Sequence, residues 1–186
     1  MRTAVISHPH CRKHKMIDDH PECPERLDAT TDRLLASGID VGLKHLQAPK
    51  AHREHYLLAH DESLVNLVER LIPEEGLNNL DGDTWLCPDS FKAIERAVGA
   101  GVLAVDEILD DKLDAAFCSV RPPGHHANKH SSSGFCVFNN LAIAVKYAQS
   151  KGIKRIAIAD FDVHHGNGTQ DIFIDDERVL LCSLFQ

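Results

Sequence analysis

Short apolar segments that alternate with helical patterns constrain the fold of this chain more than any other feature. Strand-like runs are predicted at 3–7, 43–48, 115–120, 155–160 and 179–184. Apolar residues at helical spacing lie between them, at about 24–37, 61–73, 90–109, 139–149 and 168–174. The strands are apolar on both faces, which is typical of a parallel sheet covered by helices on two sides. We therefore predict one α/β domain over residues 1–186, without repeats or linkers.

Composition excludes several classes of function. Of the 186 residues, 43% are hydrophobic and 26% are charged, which suits a globular domain. The formal net charge of −8 argues against a nucleic-acid surface and is compatible with a cationic substrate. No signal peptide or membrane-spanning run is apparent, so we expect no membrane partner. The six cysteines are scattered without a CxxC pair, which favours a reducing, cytoplasmic setting.

The loop after the predicted strand 155–160 carries Asp160, Asp162 and His164. In an extended chain, residues two apart point to the same side, so these three polar groups share one side of the strand end. Burying them together is costly unless a cation or hydrogen bonds compensate. A divalent metal would compensate, because Asp and His are ligands for zinc and also for iron or cobalt. A solvated polar loop or a helix N-cap is the alternative.

The loop after the strand 115–120 carries two adjacent histidines, His125 and His126, behind the sequence RPPG. Because loops at the carboxyl ends of parallel strands share one edge of a sheet, we expect this pair to approach the Asp/His cluster. An imidazole beside a metal-bound water is a suitable general base, and the metal lowers the pKa of that water toward about 7. Each ring needs an acceptor for its other nitrogen, and Asp160 and Asn167 are candidates. The pattern predicts metal-assisted hydrolysis.

Four segments together resemble the class II zinc-dependent deacetylases, including their bacterial relatives and the acetylpolyamine amidohydrolases. In chain order they are HPECPERL, RPPGHHA, GFCVFNN and IADFDVHHGNGTQ. The resemblance implies the arginase/deacetylase fold, a three-layer α/β/α sandwich with a mainly parallel sheet. It implies removal of an acyl group from acetyl-lysine or an acetylpolyamine, with Zn²⁺ as the catalytic ion, Fe²⁺ as an alternative to it, and structural K⁺.

The same resemblance assigns the catalytic residues. Asp162 and His164 would be two of three metal ligands, His126 the general base and acid, and His125 a second, electrostatic histidine. Asp160 would orient the ring of His125, and Asn167 would lie behind the ring of His126. The residues that would line the acyl-lysine tunnel are Gly134 and Phe135. Two further candidates, for the tunnel rim, are Asp83 and Trp85.

Related enzymes also hold potassium near the catalytic metal. The positions that match the first potassium site are the backbones of Asp160, Asp162 and His164, together with Ser183 and Leu184. A second, looser potassium loop would involve Phe173, Asp176 and Val179. These assignments rest on the resemblance alone.

Members of this family continue beyond the last strand predicted here, where they supply an Asp as third metal ligand and a Tyr that polarises the substrate carbonyl. We therefore expect a C-terminally truncated domain with very low or no deacetylase activity by itself, because catalytic zinc sites normally use three protein ligands. Its last strand would also present an edge that invites an oligomer or a partner chain. A non-catalytic binding or regulatory fragment is the alternative. An arginase-like ureohydrolase is disfavoured by the twin histidines, and the choice among histone, other protein, polyamine and metabolite substrates stays open.

Overall fold

The computed structural model describes residues 1–186 and contains seven strands and six α-helices. The strands are β1 (Thr3–Ser7), β2 (Leu43–Gln47), β3 (Asn78–Asn79), β4 (Trp85–Leu86), β5 (Ala115–Cys118), β6 (Ile156–Asp160) and β7 (Val179–Ser183). The α-helices are α1 (Glu25–Ala36), α2 (Arg53–Tyr56), α3 (Glu62–Leu71), α4 (Ser90–Leu109), α5 (Asn140–Ser150) and α6 (Asn167–Phe173). Two short 3₁₀ turns occupy Pro9–Arg12 and Ile39–Gly42.

All long strand pairs are parallel. The strand β1 lies between β2 and β5 in one sheet, and β6 pairs with β7 in another. Strands β3 and β4 form a small antiparallel hairpin. No helix is both long enough and apolar enough to span a bilayer. The parallel arrangement brings the carboxyl ends of β6 and β7 together, with Asp160 opposite Ser183.

Local sequence explains where the principal helices begin. The side chain of Asn139 accepts a hydrogen bond from the Ala142 N–H at 2.9 Å and so caps α5. The helix α4 has Asp89 at its N-cap, one residue before the predicted Ser90. The hydroxyl of Ser90 instead accepts a hydrogen bond from the Cys87 N–H at 2.8 Å, which stabilises the preceding turn.

The main core joins α3, α4 and α5 to the inner face of β6 and β7. It contains 16 buried apolar residues, among which the rings of Tyr56 and Phe138 stack with their centroids 4.9 Å apart. A smaller cluster packs β1 against α4. Burial of this apolar surface is the dominant favourable contribution to folding.

Two expectations about the strands are wrong. The predicted strands leave out residues 74–89, but these residues contain the hairpin β3–β4. The expectation that every strand is covered on both faces fails for β6 and β7, where Ala157, Ala159, Leu180 and Cys182 alternate with covered neighbours and are exposed. Strand residues point alternately to opposite faces, and one face packs on the core while no element covers the other. The remaining long strands and helices are confirmed within one or two residues.

Candidate active site

The loops after β5 and β6 meet around one cavity of about 440 Å³. The predicted site residues that line it are His125, His126, Gly134, Phe135, Asp162 and His164. The rings of His126 and His164 lie edge to face, with centroids 5.9 Å apart. The structure therefore brings together residues about 40 positions apart, as the two strand ends predicted. The cavity also contacts Asp83, whereas Trp85 is not among its lining residues.

Each of the twin histidines faces an acceptor through its Nδ1. The Nδ1 of His125 lies 2.9 Å from Oδ2 of Asp160, and the Nδ1 of His126 lies 2.6 Å from Oδ1 of Asn167. A carboxylate oxygen and an amide oxygen only accept hydrogen bonds, so both Nδ1 atoms carry the proton when the rings are neutral. Nε2 is then the free, basic nitrogen of each ring. This is the tautomer that a general base on the cavity wall requires.

Asp160 joins three parts of the site. Besides the His125 ring, its Oδ1 accepts a hydrogen bond from the Asp162 N–H at 3.1 Å, and its carbonyl accepts one from the Leu184 N–H at 2.9 Å. The carboxylate also packs directly on Gly166, where any added Cβ would overlap Oδ2. The absence of a side chain at Gly166 therefore lets the start of α6 approach Asp160.

The Asp162 carboxylate and the His164 ring face each other. Oδ1 of Asp162 lies 3.0 Å from Nδ1 of His164 and accepts the His164 backbone N–H at 2.9 Å. Burial opposes ionisation of Asp162, but the hydrogen bonds from the backbone and ring of His164 outweigh it, so the pKa of Asp162 lies below its usual value. Both side chains are about half exposed or more. A carboxylate and an imidazole at this separation suit one divalent ion. No third Asp, Glu, His or Cys side chain is placed to join them as a ligand.

The corner at Gly134 and Phe135 forms one wall of the cavity. Both residues have positive φ, +55° and +68°. The ring of His126 occupies the space of a Gly134 Cβ, whose nearest contacts would include Cγ at 2.8 Å. The Phe135 N–H donates to Oγ1 of Thr84 at 3.0 Å, and its ring meets that of His20 edge to face at 4.5 Å. The strained backbone of Phe135 is thus held by neighbours on two other loops.

The residues matched to potassium sites lie in two separate places. Ser183 pairs with Asp160 at the ends of β6 and β7, and its buried Oγ has no hydrogen-bond partner. A buried hydroxyl oxygen without a hydrogen-bond partner is compatible with a bound water or cation. In the second place, the Asp176 N–H donates to the carbonyl of Phe173 and the Val179 N–H to that of Asp176, at 3.0 and 2.9 Å. The Asp176 carboxylate pairs with Lys146 and Arg178.

The sequence did not reveal the role of His60, a buried histidine beneath the loop that carries His125 and His126. Nδ1 of His60 lies 2.7 Å from the carbonyl of Asn128, and the Asn139 N–H donates to its Nε2 at 2.8 Å. The neutral ring satisfies both backbone groups, and burial lowers the pKa of His60 to about 4. Nothing near His60 in the sequence indicates its partners, which lie about 70 residues away. Arg121 and Glu22 were also missed as partners, although both lie in the quoted motifs.

The chain is similar to known proteins over nearly its whole length. The family model described as "Histone deacetylase domain" matches residues 20–186. A "Probable deacetylase" of Archaeoglobus fulgidus is 39% identical over 188 residues, which cover 100% of this chain and 52% of that protein. The human "Polyamine deacetylase HDAC10" is 39% identical over 193 residues, which cover 98% of this chain and 29% of the human protein.

The crystal structure of the HDA15 HD domain has a TM-score of 0.93 to this chain at 33% identity. The match covers 100% of this chain and 54% of that one, and it confirms the predicted fold class. The chain thus spans about half the length of the archaeal relative and of the solved domain, and less of the human protein.

Proposed function

The chain belongs to the histone deacetylase domain family, and from that premise we propose that it forms part of a metal-dependent site that hydrolyses the acyl-amide bond of an acetylated lysine or polyamine. The observation that carries the proposal is the convergence of twin histidines and an Asp/His pair on one cavity of about 440 Å³. Residues 1–186 would act as one domain of this kind. The family match and the archaeal and human relatives support hydrolysis of such bonds.

The hydrogen bonds support the division of roles that the family resemblance implies. Asp162 and His164 would hold the ion, with zinc preferred and iron as the alternative; when bound, it supplies a water of lowered pKa and a Lewis acid for the acyl oxygen. The free Nε2 of His126 would accept a proton from the attacking water and return it to the leaving amine. His125, beside Asp160, would stabilise negative charge near the reacting carbonyl. Gly134 and Phe135 would form the wall along the acyl chain.

Substrate class follows from charge and from the relatives. The net charge of −8 and the presence of Asp83 at the cavity favour a substrate that carries positive charge outside its acetylated nitrogen, such as an N-acetylpolyamine or a basic peptide with an acetyl-lysine. The human relative is named a polyamine deacetylase. We include an N-acetylpolyamine beside an acetyl-lysine peptide as the substrates to assay, and we propose no direct role for nucleic acid or membrane.

The test uses the 186-residue chain with added zinc. We expect one zinc ion to perturb the imidazole ¹⁵N signals of His164 and Asp162→Asn to abolish that effect. Acetate release should be slow, because Asp162 and His164 supply two donors where catalytic zinc sites use three. It should fall to the background rate in His126→Ala and persist in the matched control His52→Ala, whose ring lies on the surface. Zinc that leaves the His164 signals unchanged, or measurable acetate release that His126→Ala does not reduce, would overturn the hydrolase proposal.

A second candidate function, a binding or regulatory module, is favoured by the exposed face of β6 and β7. Leu180 on this face is 62% exposed, and Phe161 and Leu184 beside it are 86% and 74% exposed. Apolar surface of this kind marks an interaction site. We propose that an oligomer or a partner chain covers it. Sedimentation velocity should then detect a concentration-dependent oligomer that Leu180→Lys reduces to monomer; a monomer at all concentrations would exclude self-association.

Two further proposals concern ions and location. Potassium would bind at the carbonyls near Asp160 with the orphaned Oγ of Ser183, and at the turn from Phe173 to Val179. Thermal unfolding in KCl and in tetramethylammonium chloride at equal ionic strength tests this, and equal midpoints would exclude a structural role. All six cysteines are free thiols, which supports a reducing, cytoplasmic location.

A further inference from the structure

A buried ion pair connects two segments that both line the cavity. We call residues 8–24 the N-terminal segment and residues 121–138 the twin-histidine loop. Arg121 and Glu22 are 1% and 2% exposed. The Nε and Nη2 atoms of Arg121 donate to the two carboxylate oxygens of Glu22 at 2.5 and 2.6 Å. This two-point geometry fixes direction as well as distance.

The remaining donors of Arg121 are also used. Nη1 donates to the carbonyls of Cys11 and His14 at 3.0 and 2.9 Å, and Nη2 donates to the carbonyl of Glu22 at 3.3 Å. This one guanidinium therefore donates five hydrogen bonds from the twin-histidine loop to the N-terminal segment. No lysine could replace it, because an ammonium has three donors and no planar fork.

The N-terminal segment is also attached to the start of α4. The ring of His14 lies 2.8 Å from Oγ of Ser90, at the start of α4, and its Nε2 lies 3.9 Å from Glu22. Burial, with a further contribution from the charge of Arg121, lowers the pKa of His14 to about 3, so this ring is neutral. Arg121 is therefore held by a segment that is attached to the longest helix.

The connection from Arg121 to the twin histidines is short and stiff. Pro122 and Pro123 fix two φ angles, and the Pro122 carbonyl accepts the Asn140 Nδ2–H at 2.9 Å. Gly124 lies so close to α5 that a Cβ there would meet the Asn140 backbone nitrogen at 2.6 Å. A displacement of Arg121 would thus be passed to His125, four residues on, rather than absorbed by the chain between them.

We propose that Arg121, through Glu22, is a positioning residue that sets where the twin histidines lie relative to the opposite cavity wall. Pro21 and Glu22 on that wall contact the same cavity as His125 and His126. The proposal rests on the proposed function for its catalytic meaning. The ordering of the twin-histidine loop by Arg121 does not depend on turnover and can be tested without an activity assay.

The test removes both buried charges at once. Single truncation would strand the other charge and unfold the protein, whereas replacing a buried pair by apolar residues of similar volume commonly preserves the fold. We therefore compare Glu22→Met/Arg121→Met with wild type and with Arg96→Met. Arg96 is a matched control because its half-buried guanidinium donates to the Ala48 carbonyl, away from the cavity.

Amide exchange and imidazole spectra report the loop. The Ala127 N–H donates to Gly124 and the Thr169 N–H to His125, while the Ile143 N–H reports the core helix. In the folded double variant we expect exchange to accelerate at least about tenfold at Ala127 and Thr169, with Ile143 and the Arg96→Met control unchanged. The ¹⁵N signals of His125 and His126 should then report a mixture of tautomers instead of the single one with the proton on Nδ1. Exchange and ¹⁵N signals equal to wild type, or exchange that accelerates equally at Ile143, would overturn the proposal.

Arg121→Lys keeps the charge and serves if the double variant does not fold. In Arg121→Lys we expect exchange at Ala127 and Thr169 to accelerate by a smaller factor. Exchange rates and imidazole signals equal to those of wild type would also overturn the proposal. In the zinc-loaded chain, Arg121→Lys should lower kcat while KM stays constant, because it leaves every residue that lines the cavity unchanged. Zinc that leaves the His164 signals unchanged would count against the proposed function only, since the exchange and ¹⁵N experiments on the loop need neither zinc nor substrate.

Discussion

The buried ring of His60 makes the stability of this chain depend on pH in a defined direction. Its Nε2 accepts the Asn139 N–H, so a proton added there would set two donors against each other at 2.8 Å. Burial holds the pKa of His60 at about 4, against 6.5 for an ordinary histidine. The unfolded chain therefore binds the proton more readily, and stability falls as pH drops below about 6.5. The loss from this ring levels off below about pH 4.

The perturbation that isolates this effect is His60→Gln. The amide offers one acceptor to Asn139 and one donor to the Asn128 carbonyl, and it does not titrate. With a shift of this size, wild type should lose about 2 kcal/mol more than His60→Gln between pH 7 and pH 5. The buried His14 contributes equally to both proteins and cancels in the difference.

The assay is urea unfolding followed by far-ultraviolet circular dichroism at pH 7, 6 and 5, with equal m-values required for the comparison. His52→Gln, at an exposed ring, is the control and should keep the full pH dependence of wild type. Parallel free-energy curves for wild type and His60→Gln would refute the reasoning, because they would mean that the folded and unfolded states bind the His60 proton equally.

Three further predictions concern packing and the site. Phe138→Ala should reduce the unfolding free energy by about 3–5 kcal/mol in urea unfolding, because the ring is 1% exposed; a loss below about 1 kcal/mol would contradict the packing. Gly134→Ala should displace the His126 ring and abolish acetate release while the protein stays folded by circular dichroism; full activity would contradict the close approach. Asn167→Ala should slow acetate release about tenfold or more, whereas Asn167→Asp, which keeps an acceptor, should retain most of it; equal rates in the two variants would exclude the acceptor role.

The sequence predicted the secondary structure well where apolar residues recur at the spacing of a strand or a helix. The strand β1 and the long helix α4 were found at their observed bounds because apolar periodicity runs through each. The hairpin β3–β4 was missed because four residues carry no period. The bare face of β6 and β7 was missed because Ala and Leu look alike whether they are covered or exposed, and only the packing of other elements decides.

The site divides in the same way. Asp160 and Asn167 were proposed as partners of the twin histidines because motif order placed them at one sheet edge, and the hydrogen bonds join those pairs. The supports beneath the loop were not predicted. His60 reaches Asn128 and Asn139 across 68 and 79 positions, and Arg121 reaches Glu22 across 99. Such pairs are fixed by tertiary geometry, which no local period encodes.

The threefold attachment of Asp160 sets a rule for anyone who transplants this site to another scaffold. An asparagine graft would retain the size, but its amide would offer hydrogens where either the His125 ring or the Asp162 backbone already donates. A glutamate would carry the charge one methylene too far, against the backbone of Gly166, on which the aspartate already packs. The aspartate, the glycine and the following strand end must therefore be moved as one unit, because no single-residue copy reproduces what they do together.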